Sequence, residues 1–196
     1  MKHIVLAAAA LLIAASGAFA EITWKEDRSH SQIRFSVAHM VIAEVGGSFR
    51  EFEVALVQKG GDDFAGSALT ATIKTASITT DNEGRDKHLR SDDFFNADAY
   101  PTITFKSSSF EKTGADTYLI RGDLTIRDVT KAVTLNARYT GQAKDPRGNI
   151  KIGFKATTAI NRFDYGVKWN KAIEAGGLVA GETIDITLLM ELAQQK

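Results

Sequence analysis

Apolar and polar residues alternate at period two through most of this chain, the signature of half-buried antiparallel strands. Ile33, Phe35 and Val37 share one parity, against Arg34 and Ser36. The same pattern recurs at Phe52, Val54 and Leu56; at Leu69, Ala71 and Ile73; and at Ile103 and Phe105. It continues at Tyr118, Ile120, Leu124 and Ile126; at Val133, Leu135, Ala137 and Tyr139; and at Ile152, Phe154, Ala156 and Ile160. Ile184, Ile186, Leu188, Met190 and Leu192 form the last run. The expectation is therefore an all-β domain of eight strands.

Polar, turn-forming connections at 111–116, 127–130 and 141–149 suit hairpins between sequential neighbours. Three connections are longer, at 39–47, 75–100 and 161–180, and long loops in a compact domain carry function or structure of their own. Thr80-Asp81-Asn82-Glu83 fits a capping box, which predicts a short helix from about Asp81 to Arg90, after the third strand. Long strands in sequential hairpins favour an eight-stranded antiparallel barrel, because closure removes exposed edges. A barrel of eight strands either fills with its own side chains or encloses one small ligand. Inward positions mix large residues (Phe35, Phe52, Phe105, Phe154) with small ones (Ala71, Ala137, Ala156), which fits a cavity and a solid core equally well.

The first twenty residues read as a secretory signal peptide. Lys2 supplies a positive start, Ile4 to Ala15 is uncharged and apolar, and Ala18-Phe19-Ala20 gives an A-x-A cleavage site. That run is shorter than the ~20 residues a spanning helix needs. The expectation is one domain over residues 21–196, exported, with no integral membrane segment in the mature chain. Among the 24 basic and 24 acidic residues only Lys2 lies in the leader, so the mature chain carries 23 against 24. Near-neutrality argues against nucleic acid, which asks for a basic excess. The absence of cysteine removes disulfides, thiol catalysis and thiolate metal sites.

Motifs for hydrolase, metalloprotease, phosphate-loop and dinucleotide chemistry are missing, so neither catalytic residues nor a cofactor are expected. His30, His39 and His88 have no second histidine at ligand spacing, which points to no metal. His30 and Ser31 read as hydrogen-bonding residues that anchor the start of a strand. Residues 81–95 hold the densest polar chemistry: Arg85, His88 and Leu89 share a helix face, beside an aromatic wall of Phe94 and Phe95.

The segment Asp27 to Met40 (DRSHSQIRFSVAHM), followed by Val45 to Phe49 (VGGSF), resembles the opening of the YceI-like polyisoprenoid-binding family. So do Arg85 to Phe95 (RDKHLRSDDFF), Tyr100 to Phe105 (YPTITF), Gly122 to Ile126 (GDLTI) and Ile160 to Gly166 (INRFDYG). Asp128 departs from the family's glycine and Ala132 from its usual proline, both in one hairpin. The resemblance implies a lipocalin-like barrel that carries a long isoprenoid lipid in its interior, is exported to the periplasm and is not an enzyme. It favours a cavity over a solid core. An apolar tail burying on the order of 500 Å² at ~25 cal/mol per Å² gains roughly 12 kcal/mol before ordering costs.

The expected lipid-binding residues are Phe35, Val37, His39, Phe52, Ile103, Phe105 and Phe154, with Phe94, Phe95, Phe163 and Trp169 near the mouth. Arg85, His88, Arg90 and Arg162 are the head-group candidates for a polyprenyl diphosphate, and Asn161 or His39 for an isoprenoid quinone. Carriage, storage and stress protection all fit such a protein. An enzyme acting on an apolar substrate, with His39 or His88 as acid or base, and a stress-related interaction module are the competing classes. The sequence leaves a homodimer open.

Overall fold

In the computed structural model residues 20–61, 63–172 and 179–195 are described, so the expected signal peptide lies outside the described residues apart from Ala20. Eleven strand segments are present. They are β1 (Ile22–Glu26), β2 (Gln32–His39), β3 (Ala43–Phe49), β4 (Phe52–Gln58), β5 (Ala68–Lys74), β6 (Ile78–Thr79), β7 (Thr102–Lys112), β8 (Thr117–Ile126), β9 (Val129–Lys144), β10 (Ile150–Asn161) and β11 (Ala180–Gln194). One helix, α1 (Glu83–Arg90), precedes β7. The order β1-β4-β5-β7-β8-β9-β10-β11, with β11 pairing back to β1, closes an eight-stranded antiparallel barrel.

The eleven segments make eight staves because three staves are broken. β11 pairs along its C-terminal half with β1 (Trp24↔Gln194) and along its N-terminal half with β2 (Ile33↔Leu188). β3 pairs with β2 while β4 pairs with β1, and β6 pairs with β3 while β5 pairs with β4. At the first break, residues 27–31, Ser31 repairs the ladder: its hydroxyl donates to the Glu191 carbonyl at 3.0 Å and accepts from the Glu191 amide at 3.1 Å. That is the anchoring expected of Ser31. His30 stands beside it, 3.2 Å from Asp27 and 3.6 Å from Glu191.

Asp27 and Glu191 also hold Lys151, whose ammonium bonds both carboxylates. Asp27, His30 and Glu191 are the one trio among the described residues with metal-ligand convergence. Lys151 already supplies its positive charge. The Lys151 hydrogen bond lowers the Asp27 carboxyl to about 2, and Asp27 with Glu191 raises the lysine to about 12.

Two sequence expectations change here. The 39–47 segment is not a long loop but the β2–β3 hairpin, in which His39 faces Ala43 across a three-residue tip. It escapes the period-two reading because Gly46 and Gly47 interrupt it. Gly47 is required: a Cβ there would lie 2.3 Å from the Phe35 ring. The helix begins at Glu83, with Asn82 rather than Thr80 as its cap. Asn82 accepts from the Arg85 amide at 2.9 Å, while Asp81 sits at φ 57, a left-handed conformation that separates Thr80 from the helix.

Asp128 costs the β8–β9 turn nothing. The left-handed position of that two-residue turn is Arg127 (φ 58), with Ile126 paired to Val129 around it.

One end of the barrel is sealed. Phe64, from the β4–β5 connection, packs on Phe154, Tyr139 and Tyr118 with centroids 5.0, 5.2 and 6.2 Å away, and Phe110 joins Tyr118 at 5.3 Å. Edge-to-face aromatics of this kind form a rigid floor. Below it, the Trp24 indole donates to Gln58 at 3.1 Å.

Candidate functional site

Above the floor the barrel encloses a cavity of about 560 Å³, inside the range of small-molecule sites. Its walls come from alternate residues of all eight staves. Small side chains at Ala71, Ala137 and Ala156 hold the walls back, and Ala137 sits directly opposite Ala156 across the β9–β10 ladder. The even choice between a packed core and a cavity is thereby settled for the cavity. Phe35, Ala71, Ile186 and Leu188 are only half-buried although they point inward, because they face this lumen.

The open end lies under α1 and the 161–172 segment. Here His88 stacks edge-on against Phe94 and Trp169, each with a centroid 5.0 Å away, and its Nε2 lies 2.8 Å from an Asp93 carboxylate oxygen. Phe95, Phe49 and Phe35 continue the aromatic wall inward at 6.1 and 5.9 Å. At the same end β6 has a free edge, and α1 covers it with side chains. Asp86 accepts from the Thr80 amide at 2.7 Å and from the Thr80 and Thr79 hydroxyls at 2.6 and 3.0 Å. Arg90 donates to the Ile78 carbonyl at 3.3 Å. Burial pushes the Asp86 carboxyl up, but the Thr80 and Thr79 hydrogen bonds outweigh it and hold the group below its ordinary value.

The cavity wall includes Phe35, Val37, His39, Phe94, Phe95, Ile103, Phe105, Phe154 and Trp169 from the expected set. Phe52 does not reach it. Phe52 opens β4 at a stave break, and its ring is covered by the surrounding core beside Ile73, leaving Val54 and Leu56 as the β4 wall. Phe163 is half-exposed in a 3-10 turn (Arg162–Tyr165), with the Arg162 guanidinium 4.6 Å above its ring and outside the cavity.

The head-group candidates divide differently. Arg162 touches the cavity but is buried, and its guanidinium donates to four carbonyls: Val167 at 2.7 Å, Gly181 at 2.8 Å, Trp169 at 2.9 Å and Ala180 at 3.1 Å. It is a rim pin, and burial lowers its pKa. Arg85 donates to the Thr80 hydroxyl at 2.7 Å and carbonyl at 3.0 Å. Arg90 and Asn161 lie off the cavity wall, and the Asn161 side chain caps the 3-10 turn by accepting from the Phe163 amide at 2.9 Å. Sequence reading missed the deeper wall, notably Phe49, Phe110 and Met190. Met190 is legible by parity, whereas Phe110 has the opposite parity to Ile103 and Phe105 and turns inward only because the β7–β8 register shifts between Ser107 and Ser109. Phe49 is not, since Gly46 and Gly47 leave β3 without an alternating apolar pattern.

The YceI-like domain model matches residues 24–192, nearly the whole described barrel. The chain belongs to the YceI-like family. UPF0312 protein SA2479 of Staphylococcus aureus strain N315 is 38% identical over 159 residues, covering 81% of this chain and 90% of its own. The Campylobacter jejuni YCEI protein superposes with a TM-score of 0.68 at 32% identity, over 81% of this chain and 90% of its own. BcnA of Burkholderia cenocepacia gives 0.74 at 20% identity over 85% and 98%. A polyisoprenoid binding domain from Saccharophagus degradans gives 0.64 at 14% identity over 88% and 98%. The last two establish a shared YceI-like barrel only.

Proposed function

We propose that this YceI-like protein holds a long isoprenoid-type lipid in its barrel, with a neutral, quinone-like head at the mouth. The observation that carries the reading is the blind cavity of about 560 Å³, walled by apolar side chains from floor to rim. A flexible hydrocarbon tail fits that shape without any charged contact. The name of the Saccharophagus degradans domain, a polyisoprenoid binding domain, supports an isoprenoid over other apolar ligands.

The neutral head follows from the engagement of the candidate cations. Arg162 is engaged by backbone carbonyls, Arg85 by Thr80, and His88 by Asp93. A diphosphate wants several free charge-assisted donors, whereas a quinone needs one or two neutral ones, such as His39. The tripartite N-terminus supports export, and we place the protein in the periplasm as a carrier or store of this lipid, with stress protection as a purpose of such storage.

The test is extraction and native mass spectrometry of protein purified from its own host. A copurifying prenyl lipid at near one per chain is expected, and delipidated protein that takes up neither a quinone nor a prenyl diphosphate would end the proposal. Affinities for a short-chain quinone and a short prenyl diphosphate, measured at low and high salt, decide the head group. Preference for the diphosphate that fades with salt would reverse the neutral assignment.

A further inference from the structure

We infer that the tip of the β2–β3 hairpin, Met40-Val41-Ile42, is a bilayer-docking element that seats the cavity mouth on a phospholipid surface. The inference rests on the lipid-holding reading of the cavity and adds the surface from which the lipid is taken. Among the described residues, the large apolar side chains exposed to solvent are these three and no others: Met40 at 41%, Val41 at 73% and Ile42 at 88%. They are consecutive, and they stand at the mouth. His39 lines the cavity, and the Met40 amide donates to the carbonyl of Val179, another mouth residue, at 3.0 Å.

The turn itself does not call for them. Met40 and Val41 lie at φ 51 and 67, a conformation that suits Asn and Gly and strains a β-branched residue. Side chains that disfavour this turn and face solvent are suited to an apolar environment outside the chain.

A bilayer fits better than a protein partner. A specific protein interface takes about 800 Å² from each side, far more than three side chains at a turn present. An interfacial element needs only to place apolar groups about 5–10 Å into the headgroup boundary. Lys171 lies on the same rim, its carbonyl accepting from the Val179 amide at 2.9 Å, and its exposed cation suits anionic headgroups. Glu44, exposed on β3, offsets it, so the apolar contribution leads and salt dependence is mild. Docked this way, a prenyl tail passes from the bilayer into the lumen without crossing water.

The test is co-sedimentation of the mature protein with vesicles of phosphatidylethanolamine and phosphatidylglycerol, alongside the triple variant Met40→Asn, Val41→Gly, Ile42→Asn. Vesicle partitioning should fall by about tenfold or more. Tm should hold or rise as the turn relaxes, and solution binding of a short-chain prenyl lipid should be unchanged. Transfer of a fluorescent prenyl lipid out of vesicles should slow in parallel. Equal partitioning of the two proteins overturns the inference, and so does a wild-type dimer in sedimentation that the variant loses. If the triple variant melts early, Ile42→Asn alone decides, since it leaves both left-handed residues in place. Failure of the cavity reading looks different: neither protein then binds the prenyl lipid in solution, whatever the vesicles show.

Discussion

Narrowing the lumen from two sides separates the cavity's role in binding from its role in folding. Ala71 on β5 and Ala156 on β10 are four staves apart in a ring of eight, so they face each other across the cavity. Ala→Leu at either adds three carbons to empty space. If the ligand tail must give up an equal length, at ~0.8 kcal/mol per CH₂ the loss is roughly 2.4 kcal/mol, or about 50-fold in Kd. The double variant should lose on the order of 10³-fold. Its delipidated form should fold with unchanged or higher Tm, because the new carbons fill a void instead of crowding a packed core. Titration with a short-chain quinone and thermal denaturation by circular dichroism give the two readouts. A folded double variant whose Kd moves less than about threefold would put the tail outside the lumen, and a sharp drop in Tm would mean that the lumen has no room for it.

A Cβ at Gly122 would lie 2.4 Å from the Lys106 carbonyl and 2.6 Å from the Phe105 ring. Gly122→Ala should therefore cost about 1–3 kcal/mol, with Phe105→Leu in the same chain restoring only part of the Tm, since the backbone contact persists. Asp27, held at about 2, contributes stability that is complete above its ordinary 3.8 and disappears as pH falls toward 2. Lys151, held at about 12, contributes fully below its ordinary 10.5 and loses this as pH rises toward 12. With side chains 20% and 14% exposed, the pair is worth about 1–2 kcal/mol after screening. Urea midpoints of wild type and Asp27→Asn should differ between pH 5 and 9 and converge near pH 2, and a constant offset would refute the linkage. Arg162→Met strands the Val167, Trp169 and Gly181 carbonyls at the rim, while Ala180 keeps its bond from Asn170, and should cost about 3 kcal/mol or more, seen as a lower Tm and faster proteolysis near Trp169, with Arg162→Lys recovering only part.

The long staves were legible because one face of each meets the lumen or the core and the other meets water. β8 illustrates this, with Tyr118, Ile120, Leu124 and Ile126 buried between more exposed neighbours. β1, β3 and β6 escape the pattern, being short or, in β3, interrupted by Gly46 and by Gly47, of which Gly47 makes room for the Phe35 ring. Cavity residues on regular strands followed from parity, yet Phe52 shows the limit of that rule: a correct inward parity does not tell a lumen wall from filled core at a stave break. The cations were read least well. The sequence places Arg85, Arg90 and Arg162 in the two longest connections beside aromatics, but the carbonyls that Arg162 engages come from Val167, Trp169, Ala180 and Gly181. Only the folded chain brings these acceptors to one guanidinium.

The breaks in the first three staves give the barrel two halves of different mechanical character. Around the floor, β1, β4 and β5 complete an unbroken hydrogen-bonded hoop with the five long strands. Around the mouth the hoop is cut, because β6 ends on α1 side chains instead of on β7. Widening the mouth therefore exchanges a few side-chain bonds at Thr79, Thr80 and Ile78, while widening the floor would unzip a whole ladder. The molecule behaves as a cup with a split rim: a bulky guest can spread the lip without loosening the base, and amide hydrogens in β6 should exchange with solvent well before those of β4 and β5.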